Sequence, residues 1–136
     1  MNCVFCALSS GDLPSFKIYE DDVVFACLDV NPFAAGHVLV MPKVHAATLL
    51  ETPDDVLKEV IVRVKKIAAH VCKTLACDGF NILQNNGAAA GQTVRHLHFH
   101  IVPRRAGDAL SFENHEGDQE ALKALAAKLC MTPTAM

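Results

Sequence analysis

Three of the seven histidines in this 136-residue chain fall at i, i+2 and i+4, in the run Gln92-Thr93-Val94-Arg95-His96-Leu97-His98-Phe99-His100-Ile101-Val102-Pro103. Large apolar residues separate them, the alternation of a half-buried β-strand. On such a strand His96, His98 and His100 line one face, and Leu97, Phe99 and Ile101 the other. The outer imidazoles would start about 13 Å apart, with roughly 6.6 Å between neighbours. Two chemistries suit the pattern. Histidines at i, i+2 can share one metal ion. Alternatively, one imidazole is a nucleophile and its neighbours hold its tautomer and proton. A plain solvent-facing edge strand is the third reading, but histidine has no special strand propensity and other polar residues would serve.

Other chemistry-bearing residues lie elsewhere in the chain. Cys3 and Cys6 form C-x-x-C, which is half a zinc site, a redox pair or two unrelated thiols. The redox reading wants a preceding strand, and Met1-Asn2 cannot form one. Cys27, Cys72, Cys77 and Cys130 sit among apolar neighbours and read as thiols in core or helix, as in a reducing compartment. Asp29 follows a buried strand and is a turn-former or an acceptor for ligand hydroxyls. The small-residue loop Asn85–Thr93 could bring backbone amides close to an anion, with Gln92 and Thr93 adding polar donors.

The elements that must position these groups follow from pattern. Lys17–Glu20 and Val23–Leu28 read as strands, the second buried, with a turn at Asp21-Asp22. Gly36 opens a strand over His37–Met41 that Pro42 closes, with His37 and His45 flanking it. Thr52 can cap a helix whose first position is Pro53 and whose first turn carries Asp54 and Asp55. Val56, Val60, Val64, Ile67, Val71 and Leu75 continue it at helical spacing, and Gly79 is expected to stop it after some 35 Å. Residues 79–85 alternate as a strand, residues 7–15 read as a loop, and Asp118 can cap a last helix carrying Leu122, Leu125, Ala126 and Leu129. Residues 131–136 are expected to fray. His70 and His115 receive no chemistry.

Composition bounds the function. The length predicts a single domain over residues 1–136. A net charge of −3 argues against nucleic acid as a bulk electrostatic partner. No apolar run approaches the ~20 residues of a membrane span, and no secretory signal is visible, so the expected location is cytoplasmic.

The segment His96-Leu97-His98-Phe99-His100-Ile101-Val102 matches His-φ-His-φ-His-φ-φ, and the chain resembles the histidine triad (HIT) family. Phe25–Asp29, Gly36–Lys43 and Asn85–Pro103 look like corresponding segments in order and spacing, so the resemblance covers roughly residues 3–105 and implies a 1–105 core with a variable 106–136 tail. It is most similar to the small bacterial-type branch with an N-terminal C-x-x-C. The resemblance implies an α+β fold, an antiparallel sheet with the long helix packed across it and a short C-terminal helix, dimerised through that helix and adjacent strands. It implies a hydrolase acting at the α-phosphorus of purine nucleotide conjugates of AMP or GMP, such as phosphoramidates or nucleotidyl esters. His98 would attack phosphorus and form a nucleotidyl-histidine, its other ring nitrogen held by a backbone carbonyl. His100 would contact the phosphate or leaving group, and His37 would support His100.

By the same resemblance Gln92, Thr93 and the Gly91 amide would bind phosphate oxygens, and Asp29 the ribose hydroxyls with Val30 against the sugar. Asn85 would support the ribose region, and Phe5, Leu8 and Leu13 would wall the base. Cys3, Cys6, His45 and His96 would hold a structural zinc, with no catalytic metal. Three other functions compete: a dinucleoside polyphosphate hydrolase or nucleotidyl transferase, a nucleotide-binding adaptor, and a metalloenzyme with one ion on all three triad histidines. The chain lacks tryptophan, which one eukaryotic branch carries in its C-terminus, so leaving-group preference does not carry over.

Overall fold

A computed structural model describes residues 3–133. Met1, Asn2 and the last residues of the segment expected to fray, 134–136, lie outside it. The elements run α1 (Val4–Ser10), β1 (Lys17–Glu20), β2 (Val24–Leu28), β3 (Val38–Pro42), α2 (Asp54–Leu75), β4 (Gly79–Leu83), β5 (Phe99–Arg104) and α3 (Gln119–Leu129). The strands form one antiparallel sheet in the order β1-β2-β3-β5-β4. The expected α+β architecture is therefore present.

The two central apolar strands are covered on both faces, which is why β2 reads as a continuous apolar run. Val24, Ala26, Leu28, Val38 and Val40 face a core with Val60, Val64, Ile67 and Val71 of α2 and Leu122 and Leu129 of α3. Phe25, Cys27, Leu39 and Met41 face the other way and pack under Phe5 of α1. Each fully buried aliphatic of α2 contributes roughly 1.5–3 kcal/mol relative to exposure. His100 pairs with Leu39 across the ladder. It therefore lies on the α1 side of the sheet, away from the helical core.

Several boundaries differ from expectation. β5 begins only at Phe99, so His96 lies in a bend and His98 in the lead-in that follows it, rather than in the strand. The cause is β3, whose ladder with β5 ends at Val40–Phe99. The Leu97 amide bonds Ala46 O at 2.7 Å instead. Thr52 does not cap α2: Pro53 is the N-cap, and the Thr52 hydroxyl donates to Thr48 O at 2.8 Å, closing a 3-10 turn over Leu49–Glu51. The helix ends at Leu75 through Ala76, a left-handed residue (φ 53°), and Gly79 opens β4. This reversal brings the Cys72 and Cys77 Cα atoms within 5.0 Å, and the two are joined as a disulfide rather than standing as the expected thiols. Residues 4–10, expected as part of loop or terminus, form a helix capped by the Cys3 sulfur and closed by left-handed Gly11. Met131, at the start of the segment expected to fray, donates its amide to Ile18 O at 2.7 Å.

Two sites pin the sheet to the helices. Gly36 has φ 88°, and a Cβ there would run into Leu75 Cδ1, so the turn into β3 needs glycine. Asp21 is the other. Its carboxylate accepts from Tyr19 Oη and Arg63 Nε, both at 2.6 Å, and from the Val23 and Val24 amides at 2.8 and 2.9 Å. Burial opposes its charge, but these donors outweigh burial and hold the carboxyl down at about 2. A depressed carboxylate stabilises the fold above the unfolded value of 3.8 and loses that contribution as pH falls through about 2. Asp21→Asn is expected to cost about 2 kcal/mol in denaturant titrations at neutral pH. The gap from wild type should close below pH 4, and a gap independent of pH would contradict the assignment.

Candidate active site

A neutral imidazole carries one N–H and one lone pair, and fixed neighbours decide which nitrogen has which. His98 Nδ1 lies 2.7 Å from the carbonyl oxygen of His96. A carbonyl only accepts, so Nδ1 holds the proton and Nε2 the lone pair. The His37 Nδ1 accepts the Phe33 amide at 3.0 Å, which places the His37 proton on Nε2. That N–H reaches His100 Nδ1 at 2.9 Å, so the His100 proton sits on Nε2. A backbone carbonyl and a backbone amide thus leave His98 a lone pair and His100 a donor.

Burial keeps these rings neutral. It lowers His98 below the ordinary histidine value. Burial together with the neighbouring rings lowers His37 to about 3 and His100 to about 4. Asp29 Oδ2 stands 3.6 Å from His37 Nε2, but a neutral ring makes this no ion pair. Asp29 is itself raised by burial, against the pull of the Asn31 amide on Oδ1 at 2.9 Å. By spacing Asp29, His37 and His100 could hold a metal. The Phe33 amide occupies the one free lone pair of His37, so His37 and His100 form a hydrogen-bonded pair beside Asp29.

His98 and His100 open into a cavity of about 600 Å³ lined also by Phe5, Leu8, Phe16, Leu28, Asp29, Val30, Thr93, Val94 and Asn114. The volume falls within the range of small-molecule sites. Phe5 meets the His98 ring edge to face at 4.7 Å. Of the residues expected around a ligand, Phe5, Leu8, Asp29, Val30, Thr93, His98 and His100 line this cavity. Leu13 does not: it is exposed and borders a separate depression with Lys17 and Glu20. His37 stands behind His100, facing a second cavity.

The loop ahead of the triad is arranged differently from the expectation that Gln92 and the Gly91 amide point at an anion. The Gln92 amide nitrogen donates to Ala47 O at 2.6 Å and Val94 O at 3.0 Å, and its oxygen accepts from the Gly87 amide at 2.8 Å. The Gly91 amide donates to Ala88 O at 3.0 Å. Gly91 therefore ties the loop to itself and Gln92 ties it to itself and to Ala47, while Thr93 is the expected donor residue that borders the cavity. The Asn85 amide nitrogen lies beside Gly91, away from Asp29 and Val30. Phe33 and Asn114 gave no signal in the sequence. Phe33 stacks near-parallel on His100 (6.1 Å, 9°), and only the fold brings Asn114 to the cavity wall.

Beside the triad, Cys3 Sγ, Cys6 Sγ, His45 Nδ1 and His96 Nδ1 all lie within 4.8 Å of one another. His96 Nε2 donates to Pro42 O at 2.7 Å, which leaves its Nδ1 lone pair aimed at the sulfurs. Four donor atoms converge with one histidine already oriented, an arrangement that can hold a metal ion.

Fold and site define a small α+β protein in which hydrogen-bonded imidazoles on one sheet face open into a deep, largely apolar cavity. A HIT domain family model matches residues 10–107, and the chain belongs to that family. It is 46% identical over 109 residues to an adenylylsulfatase of Arabidopsis thaliana, spanning 80% of this chain and 55% of that one. It is 39% identical over 134 residues to an adenosine 5′-monophosphoramidase of Saccharomyces cerevisiae, covering 93% and 82% of the two chains. A zinc-bound histidine triad family protein of Mycobacterium smegmatis superposes with TM-score 0.81 at 44% identity, over 95% of this chain and 96% of that one.

The tautomers are directly measurable. Long-range nitrogen–proton spectra at about pH 5 are expected to show His37 and His100 neutral, both as Nε2–H forms. A doubly protonated ring, or His37 with its proton on Nδ1, would contradict the chain of hydrogen bonds.

Proposed function

We propose that the protein hydrolyses purine nucleoside 5′-phosphoramidates or nucleotidyl esters at the α-phosphorus through a covalent nucleotidyl-histidine. The observation that carries this reading is the His98 proton held on Nδ1 by the His96 carbonyl, which frees Nε2 at a nucleotide-sized cavity. The names of the Arabidopsis and Saccharomyces relatives both describe splitting an adenosine 5′-monophosphate conjugate.

In the proposed reaction Nε2 of His98 attacks phosphorus, the bond from phosphorus to the leaving nitrogen or oxygen breaks, and its electron pair departs with that atom. The His98 ring becomes a cation, and its Nδ1–H bond to the His96 carbonyl strengthens with that charge. Charge on the phosphoryl oxygens is met by the His100 Nε2–H and the Thr93 hydroxyl. Water then attacks the same phosphorus, the P–Nε2 bond breaks, and its electrons return to His98. Overall, water supplies the hydroxyl on phosphorus and the proton on the leaving group. Asp29 accepts the ribose hydroxyls and Val30 meets the sugar. Phe5 and Leu8, neighbours on one face of α1, wall the base by apolar contact, which discriminates AMP from GMP conjugates weakly. Gln92, Gly91 and Asn85 shape the loop that carries Thr93.

We assign zinc to the Cys3, Cys6, His45 and His96 cluster as a structural ion. A tetrahedral zinc with bonds of about 2.3 Å to sulfur and 2.0–2.1 Å to nitrogen spaces sulfur from nitrogen by roughly 3.5 Å, and two nitrogens by roughly 3.3 Å. Here three of the four sulfur–nitrogen separations are 3.4–3.5 Å, the two Nδ1 atoms are 3.2 Å apart, and all four donors lie within 4.8 Å of one another. Zinc there fastens α1, and with it Phe5, beside His98. The apolar residues left outward on edge strand β4 (Phe80, Ile82) and on α2 (Ile61, Val62) support a homodimer through these elements. A cytoplasmic location remains part of this proposal, although the Cys72–Cys77 pair departs from the thiols expected there. Among the described residues no helix is long and apolar enough to cross a membrane.

Hydrolysis of an adenosine 5′-phosphoramidate after thorough chelation tests the chemistry. Wild type is expected to turn over, and His98→Ala to lose at least about a thousandfold; near-normal activity of the variant would remove His98 from the mechanism. Separately, Cys3→Ser with Cys6→Ser is expected to abolish zinc content and lower the thermal midpoint by roughly 5 °C or more while turnover survives. Zinc retained by that double variant would refute the ligand set.

A further inference from the structure

Residues 111–117 lie beyond the segment matched by the family model and cross back over the loop that joins β2 to β3. Three hydrogen bonds fasten the two: Asn114 Nδ2 to Asn31 O at 2.6 Å, the His115 amide to Pro32 O at 2.9 Å, and the Gly117 amide to Val30 O at 3.0 Å. A methyl group at Gly117 would collide with the Val30 carbonyl oxygen and with Leu122, so the approach requires glycine. Upstream, Arg104 anchors the segment by donating to Ser111 O at 2.8 Å and by lying over the Phe112 ring at 5.1 Å. Phe112 in turn meets Phe33 edge to face at 6.0 Å.

The clasped loop carries two groups that the site depends on. Asp29 stands at its start, and Phe33 supplies both the amide that sets the His37 tautomer and the ring that stacks on His100. Behind it, a cavity of about 230 Å³ separates part of the loop from the 115–118 turn and α3. Close packing therefore does not by itself fix the loop there, and the hydrogen bonds to the tail carry that role.

We propose that the 111–117 segment is a positioning strap, with Asn114 and Gly117 as positioning residues. By holding the 30–33 loop it keeps the Phe33 amide on His37, and so keeps the His100 proton directed at the cavity. The proposal rests on the catalytic reading above, and it places a determinant of proton location in the variable tail rather than in the family core. Neither residue touches the reacting atoms: each acts through the loop.

The test uses the full-length chain with Gly117→Ala and, as a milder change, Asn114→Ala. Steady-state hydrolysis of an adenosine 5′-phosphoramidate is measured beside long-range nitrogen–proton spectra of the histidine rings. The expected result is a kcat lowered at least about tenfold with KM changed less, and His37 passing from one tautomer to a mixture of two. The thermal midpoint should fall too little to explain the loss. Unaltered His37 and His100 tautomers in a folded variant would overturn the proposal, whatever happens to kcat. If wild type fails to turn over the substrate, the catalytic reading fails while the spectra still judge the strap.

Discussion

Everything this site can do depends on where three protons sit. A buried neutral imidazole is either a nucleophile or a donor toward a given point, according to a hydrogen bond on its far side. Here the far sides of His98 and His37 are held by backbone, the His96 carbonyl and the Phe33 amide. His37 passes the choice to His100. Backbone partners cannot titrate, and burial keeps the rings uncharged, so the arrangement holds across ordinary pH without an ion pair to the neighbouring Asp29.

The fold serves that requirement by surrounding the imidazoles. β2 and β3 are buried on both faces, which makes a rigid floor of Leu39 and Cys27 under the cavity. α2 and α3 cover the opposite face and close the larger apolar core over it. α1 brings Phe5 against His98, and the cysteine–histidine cluster ties α1 to the triad through His96. His96 thus orients the cluster with one face and the His98 ring with its carbonyl. It belongs to the same run as His98 and His100 but supports them from outside the cavity.

Much of this was legible in the sequence because it is periodic. Alternation marked the triad faces, a continuous apolar run marked β2, and the stripe from Val60 to Val71 marked α2. The metal cluster was reached through family resemblance, and Cys3, Cys6, His45 and His96 do converge. What the pattern missed depends on contacts distant in the chain. The start of β5 at Phe99 depends on where its partner β3 releases it, and the Cys72–Cys77 bridge on a left-handed alanine that no propensity favours. Gln92 reads as a ligand donor until Ala47, 45 residues away, is seen to take its proton. α1 was hidden by its length, although Gly11 is a visible terminator.

The most direct test of the covalent account is mass spectrometry of the protein quenched during turnover of an adenosine phosphoramidate. The account predicts one adenylyl group on the peptide that contains His98, localised by fragmentation to that ring. Turnover with the adenylyl group on another residue, or with none trapped at any quench time while product accumulates in a burst, would contradict it.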